Sequence, residues 1–261
     1  GKNFSRFNLF LHREDLYLMK MKILTCLLFS ASVLILVSCS SEQKDRSGNK
    51  ISDTTSKMQE QSSTNNEVNQ GPVKQIDAGL SYNGSYYSLQ GKYEEILIVN
   101  KRYPLSAQYN PGENPTAKAA LLKLIADMRG AGYDISDQYS GFRSYDTQAE
   151  LYQNYVNRDG KEAADRYSAR PGYSEHQSGL AFDLIDGQGN LLEEAGASQW
   201  LLENAANYGF IVRFLKGKEA STGYMPESWH LRFIGQEAKE IAASGKSLEE
   251  YFGISGGDYQ E

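Results

Sequence analysis

The sequence has few of the residues that most often build metal and redox sites, with only two cysteines and three histidines among 261 residues. Cys26 and Cys39 cannot form a disulfide-dense scaffold or a zinc site with four thiolates. Any metal site must therefore use histidines and carboxylates. Basic residues are also few, since 27 Lys and Arg face 33 Asp and Glu and no basic stripe is present. This charge argues against nucleic acid as a partner, because backbone phosphates require a basic surface.

The sequence pattern of residues 1–38 predicts an export signal that does not belong to the folded domain. A short basic start precedes a mostly apolar run over 23–37, which is shorter than the roughly 20 residues that span a bilayer. The run ends at Leu-Val-Ser-Cys, which resembles a bacterial lipobox with Cys39 as the lipidated residue. We expect a signal peptide starting near Met19, with a spurious extension before it. Cleavage by ordinary signal peptidase and a permanent transmembrane helix are the alternatives.

Residues 39–79 are expected to be the lipidated cysteine and a disordered stalk. The stretch 40–70 consists mainly of Ser, Asn, Gln, Lys, Glu and Asp and has no aromatic residue. Such a sequence cannot bury enough apolar surface to offset the entropy lost on folding. The stalk would hold the following domain away from a membrane anchor.

Residues 80–261 predict one folded domain, because aromatic and apolar residues return from Tyr82 onwards. Apolar runs predict strands over 95–99, 179–185, 210–214 and 229–234. Caps and helical spacing predict helices after Asn114, Asp146 and Ser198, and over 161–169, 236–244 and 248–252. Helices lie early and late, with strands near the middle and no regular β-α-β alternation. The fold class is therefore predicted to be α+β.

The only two histidines after the predicted signal, His176 and His230, both lie beside predicted strands. Asp183 lies in one of these apolar strands, where a buried carboxylate needs a partner. Two imidazoles and one carboxylate leave an open fourth position on a tetrahedral zinc ion, as in catalytic zinc sites. The spacing alone leaves open a structural role for either histidine. It also leaves open Asp183 as a cap or as an ion-pair partner of Arg143 or Arg170.

Glu227 precedes His230 by three residues and is a candidate general base. If Pro226 keeps Glu227 in a turn outside the strand, its carboxylate can face a water molecule at the metal and take its proton. Glu175 is adjacent to His176, but neighbouring side chains point in opposite directions in an extended chain. We therefore assign no chemistry to Glu175 from the sequence.

Three blocks in this order resemble the VanY-like zinc D-alanyl carboxypeptidases. They are Ser140-Gly141-Phe142-Arg143-Ser144 with Gln148, Ser174-x-His176-x-x-Gly179-x-Ala181-x-Asp183, and Glu227-x-Trp229-His230. Phrases such as SGFRSY and DRYSARPGYSEHQ resemble more closely the LdcB/DacB-type L,D-carboxypeptidase lipoproteins of Gram-positive bacteria. The resemblance covers about residues 84–260 and implies a zinc-peptidase domain with a small, mostly antiparallel sheet flanked by helices.

The resemblance also implies the residues of the metal site. His176, Asp183 and His230 correspond to the ligands of one Zn²⁺ per chain, and Glu227 corresponds to the general base. Arg143 corresponds to a residue that faces the substrate and its negative charge; the alternative is a structural ion pair with Asp146 or another acid.

Two further positions match residues that hydrogen-bond the stem peptide. They are Gln148 and Ser174, for which the alternatives are a polar residue on a helix face and a turn serine. Trp229 is expected to pack beside the site.

The implied activity is removal of the terminal D-Ala from tetrapeptide stems of peptidoglycan, which leaves tripeptides. The alternatives are D,D-carboxypeptidase action on pentapeptide stems and a catalytically inactive wall-binding module. The implied setting is the outer face of the cell membrane in the Gram-positive cell-wall space. There the protein is expected to act as a monomer held by its lipid anchor.

Overall fold

The computed structural model describes residues 74–77 and 79–260. The predicted signal, the predicted lipidation site Cys39 and most of the predicted stalk lie outside the described residues. Within the described part, no helix combines the length and apolar character needed to cross a membrane. The described elements form two four-stranded antiparallel sheets with helices, which confirms the predicted α+β class.

The first sheet has the order β1-β2-β3-β4. Its strands are β1 (Lys74–Asp77), β2 (Leu80–Tyr82), β3 (Tyr87–Gln90) and β4 (Glu95–Ile98). Strand β4 was predicted from its apolar run, whereas β1 to β3 were not predicted. Leu80, Ile96 and Ile98 form an apolar cluster with residues from the C-terminal part of the chain, including Ile241 and Leu248. This cluster joins the beginning and the end of the described chain.

The second sheet has the order β5-β6-β8-β7. Its strands are β5 (Ile135–Ser140), β6 (Ala181–Asp186), β7 (Phe210–Phe214) and β8 (Glu227–Phe233). Strand β7 confirms the predicted bounds, and β5 was not predicted. Strand β8 begins two residues before the predicted 229–234. Glu227 is therefore the first residue of the strand, and the condition that Pro226 keeps it in a preceding turn is not met.

One helix covers this second sheet with an apolar face. Helix α1 (Pro115–Gly130) begins after Asn114, whose side chain accepts a hydrogen bond from the Ala117 amide. Leu121 and Leu124 of α1 are fully buried in a cluster with sheet residues such as Phe182. Burial of one such leucine stabilises the fold by about 1.5–3 kcal/mol. The helix and its cap were both predicted.

The remaining helices and 3₁₀ turns connect the strands. They are α2 (Tyr145–Asp159), α3 (Lys161–Asp165), a 3₁₀ turn (Glu175–Ser178), α4 (Ala195–Asn204), a second 3₁₀ turn (Ala205–Tyr208), α5 (Glu219–Thr222), α6 (Ala238–Ser244) and α7 (Leu248–Phe252). Two predicted caps were wrong. Ser144, not Asp146, caps α2, and Glu194, not Ser198, caps α4.

Candidate metal centre and active site

Two neighbouring strands and one turn bring the predicted metal ligands together. Strands β6 and β8 pair in a register that places Asp183 directly opposite His230. His176 lies in the 3₁₀ turn that precedes β6. One ligand atom from each residue lies within 4.8 Å of the other two, and all three residues are buried. The structure therefore forms a His/Asp/His cluster from residues that are distant in the sequence.

The turn that carries His176 is fixed at both ends. Ser174 caps it, and its Oγ accepts a hydrogen bond from the His176 amide at 3.3 Å. Gly179 ends it with a φ of +73°, and a Cβ at this position would clash with the Gly112 carbonyl oxygen. Only glycine fits this conformation and this space. Ser174 thus has a local structural contact, and its substrate contact stays a prediction.

Hydrogen bonds to the outer nitrogens orient both imidazoles. His176 Nδ1 lies 2.8 Å from the Gly141 carbonyl oxygen, and His230 Nε2 lies 3.1 Å from Glu175 Oε2. These partners accept, so we infer that both outer nitrogens carry protons. The inner nitrogens then face Asp183, with His176 Nε2 3.1 Å from Oδ2 and His230 Nδ1 3.0 Å from Oδ1.

This geometry fits a bound cation. Imidazole lone pairs that face carboxylate oxygens repel unless a positive charge lies between them. Asp183 Oδ1 is buried and has no donor in hydrogen-bonding geometry, although His230 Nδ1 is close to it. An ion such as Zn²⁺, which binds imidazole nitrogen and carboxylate oxygen, would satisfy all three groups. Three protein ligands would leave a fourth position for water or substrate.

Burial and neighbouring charges set the protonation of the cluster. Burial acts to raise the pKa of Asp183, but the two imidazoles outweigh it and keep this pKa well below its ordinary value. Burial acts to lower the pKa of His230, but Asp183 and Glu175 outweigh it and raise the pKa to about 10. Burial lowers the pKa of His176. Without a metal, His230 therefore holds a proton where a cation would bind.

Glu227 lies beside the cluster in the position expected of a general base. Its Oε2 is 3.7 Å from His230 Nδ1, and its side chain is largely buried. Burial raises the pKa of Glu227 to about 8, with His230 acting against this shift and Asp183 adding to it. A carboxyl group with a pKa close to the working pH can both accept and return a proton.

Arg143 is connected directly to the ligand turn. Its backbone amide donates to the His176 carbonyl oxygen at 3.2 Å. Its guanidinium donates to Gln148 Oε1 at 2.7 Å and to Ser140 Oγ at 3.3 Å, so it contacts two neutral groups and not Asp146. Among the described residues Arg143 has no carboxylate in direct contact, and its charge acts across the site on Glu227 and His176. The group can therefore attract an anionic part of a ligand.

Gln148 orients the guanidinium group of Arg143 by accepting its hydrogen bond. The Gln148 side chain is buried, and its Nε2 donates to the Ala169 carbonyl oxygen at 2.6 Å. Both ends of its amide thus have protein partners, and its substrate contact stays a prediction. Nearby, Arg170 forms its ion pair with Asp165 at 2.7 Å and not with Asp183.

Glu175 is a site residue that the sequence interpretation missed. The expectation that it points away from His176 was wrong, because both residues lie in a 3₁₀ turn and not in an extended segment. Glu175 is buried and bonds His230 through Oε2. Burial acts to raise its pKa, but Arg213 and Arg232 outweigh this effect and keep the pKa well below the ordinary value. Ser174 and Gly179 were the sequence signal for this turn.

Known proteins are similar to this chain. The VanY family, described as D-alanyl-D-alanine carboxypeptidase, matches residues 112–236. YodJ of Bacillus subtilis (strain 168), a putative carboxypeptidase, is 36% identical over 205 residues, which cover 69% of this chain and 72% of YodJ.

Solved structures are also similar, and two of them illustrate the range of identity. That of the LdcB LD-carboxypeptidase, reported for its peptidoglycan recognition, is 68% identical with a TM-score of 0.68 and covers 69% of this chain and 97% of LdcB. A Zn(II) complex of a mutant vancomycin-resistance D,D-pentapeptidase VanY is 31% identical with a TM-score of 0.51. The match covers 59% of this chain and 96% of the VanY chain. With the metal-ligand geometry, these similarities show that the chain belongs to the VanY family of carboxypeptidases.

Proposed function

We propose that this carboxypeptidase is a zinc-dependent L,D-carboxypeptidase that removes the terminal D-Ala from tetrapeptide stems of peptidoglycan and leaves tripeptides. The buried His176, Asp183 and His230 cluster, with Glu227 3.7 Å from a ligand nitrogen, carries this proposal. The 68% identity to the LdcB LD-carboxypeptidase supports the L,D preference and the peptidoglycan substrate. The zinc-bound VanY relative supports the choice of metal.

The metal and Glu227 would have separate roles in the hydrolysis. A zinc ion held by the cluster would polarise the scissile carbonyl and lower the pKa of a water molecule to about 7. Glu227 accepts a proton from the attacking water as the new carbon–oxygen bond forms. Glu227 then gives a proton to the nitrogen of D-Ala as the carbon–nitrogen bond breaks. The raised pKa of Glu227 suits both transfers.

Arg143 supplies the positive charge that an exopeptidase needs near its scissile bond. The substrate ends in a free carboxylate, and a guanidinium group binds a carboxylate through charge-assisted hydrogen bonds. The same group can stabilise negative charge that develops on the carbonyl oxygen. Gln148 holds the guanidinium in place for either role.

The competing function is D,D-carboxypeptidase action on pentapeptide stems. The name of the matched family and the D,D-pentapeptidase relative favour it. Both reactions release D-Ala by the same chemistry and differ only in the residue that precedes the scissile bond. Activity on tetrapeptide and on pentapeptide stems therefore distinguishes the two functions.

Mass spectrometry of purified tetrapeptide and pentapeptide muropeptides tests this proposal. We expect loss of one D-Ala from the tetrapeptide, which a chelator abolishes. Glu227→Ala should lower the rate roughly 10²- to 10⁴-fold because the proton acceptor is lost. Glu203→Ala, which removes an exposed carboxylate, is the matched control and should retain the rate. Loss of D-Ala from the pentapeptide alone would exclude the L,D preference, and full activity of Glu227→Ala would exclude the base.

We also propose that the protein acts as a monomer anchored by a lipid on Cys39, in the cell-wall space outside the membrane. The lipobox-like segment before Cys39 and the polar stretch after it support this setting. Cys39→Ala should move the protein from the membrane fraction to the soluble fraction. Cys26→Ala lies within the predicted signal and should leave the membrane fraction unchanged. Retention of the Cys39→Ala protein in membranes would contradict lipidation.

A further inference from the structure

Four buried charged side chains lie behind the metal centre. Glu175, Arg213, Arg232 and Glu249 are each at most 5% exposed. Their two negative and two positive charges balance, which such a cluster requires because unpaired buried charges are strongly unfavourable. Nothing in the hydrolysis described above uses Arg213, Arg232 or Glu249.

Direct contacts connect these charges to a metal ligand. Glu175 bonds His230 Nε2 through its Oε2, while its Oε1 accepts from Arg213 Nε at 2.8 Å and from Arg232 Nη1 at 2.9 Å. Arg213 then donates through both terminal nitrogens to Glu249, at 2.9 and 2.5 Å. A continuous path of hydrogen bonds therefore runs from His230 to Glu249.

Chain segments outside the matched family region contact Glu249 and Arg232. Glu249 belongs to helix α7, and its Oε1 also accepts from Asn100 Nδ2 at 3.0 Å. Arg232 Nη2 donates to the Leu97 carbonyl oxygen of β4 at 2.6 Å. The family match covers only residues 112–236. Both flanks of the chain thus contact the charges that hold a metal ligand.

We propose that Glu249 is a positioning residue for the metal centre. Glu249 fixes Arg213, Arg213 fixes Glu175, and Glu175 fixes the ring orientation and tautomer of His230. The inference rests on the proposed zinc function, because it concerns how a zinc ligand is held. Loss of such outer partners typically weakens metal binding about 10- to 100-fold.

The test measures zinc affinity of the full chain by competition with a chelator, together with the absorption spectrum of the Co²⁺-substituted protein. Glu249→Gln should weaken zinc binding about 10- to 100-fold and change the Co²⁺ bands. Glu249→Asp keeps the charge and should restore part of the affinity. Glu237→Gln is the matched control, because Glu237 is equally buried but bonds the Lys92 amide and the Tyr251 hydroxyl instead of Arg213.

Each outcome has a distinct meaning. If the wild-type protein binds no zinc, the proposed function itself fails. If wild type binds zinc and folded Glu249→Gln matches it in affinity and spectrum, the positioning role is excluded. An equal loss in Glu237→Gln also excludes it. If Glu249→Gln does not fold, Glu249→Asp decides; if neither folds, the charges serve the fold as a whole and the proposal is overturned.

Discussion

Proton binding at His230 and Glu227 should set the pH dependence of metal binding at the proposed zinc site. Their pKa values without a metal are raised to about 10 and about 8. Both groups therefore carry protons at pH 7. His230 must lose its proton to bind a metal, because only a neutral imidazole is a ligand. Glu227 should lose its proton as well, because a nearby cation favours the ionised carboxylate. Protons compete with the metal below these pKa values. Metal affinity should fall as the pH falls from 10 through 8, most steeply below 8, in chelator-competition titrations across this range.

Gly179 controls the position of His176, a proposed zinc ligand, through the backbone. Gly179→Ala would place a Cβ in the left-handed region, which costs about 1–2 kcal/mol, and would add the clash with the Gly112 carbonyl oxygen. We expect a lower melting temperature and weaker zinc binding, because the turn that carries His176 must shift.

The control for this prediction is Gly245→Ala. Gly245 also has a positive φ of +64°, but nothing lies within 4 Å of the place where a Cβ would stand. The strain is then present without the clash and far from the ligand turn. Equal melting temperatures and equal zinc affinities of the two variants would contradict the role of Gly179.

Some site residues could be predicted from the sequence and others could not. His176 and His230 stood out because histidine is scarce, and Asp183 because it lies in an apolar strand. Their common role came from the resemblance to a family, since spacing alone left structural alternatives open. Glu175 was missed because an extended segment was assumed where Ser174 and Gly179 delimit a turn. Its contacts with Arg213 and Arg232 join positions 38 and 57 residues away, which no local pattern reveals.

At the scale of elements, local signals predicted the helices and strands whose first residue, last residue and apolar face are determined by nearby sequence. Helix α1 has the Asn114 cap and a buried stripe, and β7 follows a glycine that ends the preceding turn. Helix α7 begins after Ser247 with a capping box and was predicted with its observed bounds. In each case the residues within one or two turns determine the element.

Elements that depend on distant partners were missed or misplaced. Strand β5 lies at a sheet edge, and its sequence Ile-Ser-Asp-Gln-Tyr-Ser has no apolar alternation. Strands β1 to β3 are three or four residues long. Glu227 joined β8 because β7 pairs with it there, with Phe214 opposite Glu227. Tertiary pairing thus overrode the local turn signal of Pro226.

At the scale of the whole molecule, the two flanks and the family region depend on each other. The first sheet packs against residues of α6 and α7 in one apolar cluster, while Arg232 and Glu249 connect the same flanks to the proposed metal centre. The scarcity of cysteine directed attention to histidines and carboxylates, and the described residues bring His176, Asp183 and His230 together. The acidic net charge of the chain gave no information about the buried charges beside the cluster, where Glu175 and Glu249 face Arg213 and Arg232.

Calorimetric titration of the metal-free full chain with zinc tests the central claim most directly. At pH 7, in two buffers with different ionisation enthalpies, we expect one zinc ion to bind per chain. Binding should release about one to two protons, from His230 and Glu227, because both are protonated without the metal. Absence of zinc binding, or binding without proton release, would contradict a zinc centre formed by His176, Asp183 and His230 beside Glu227.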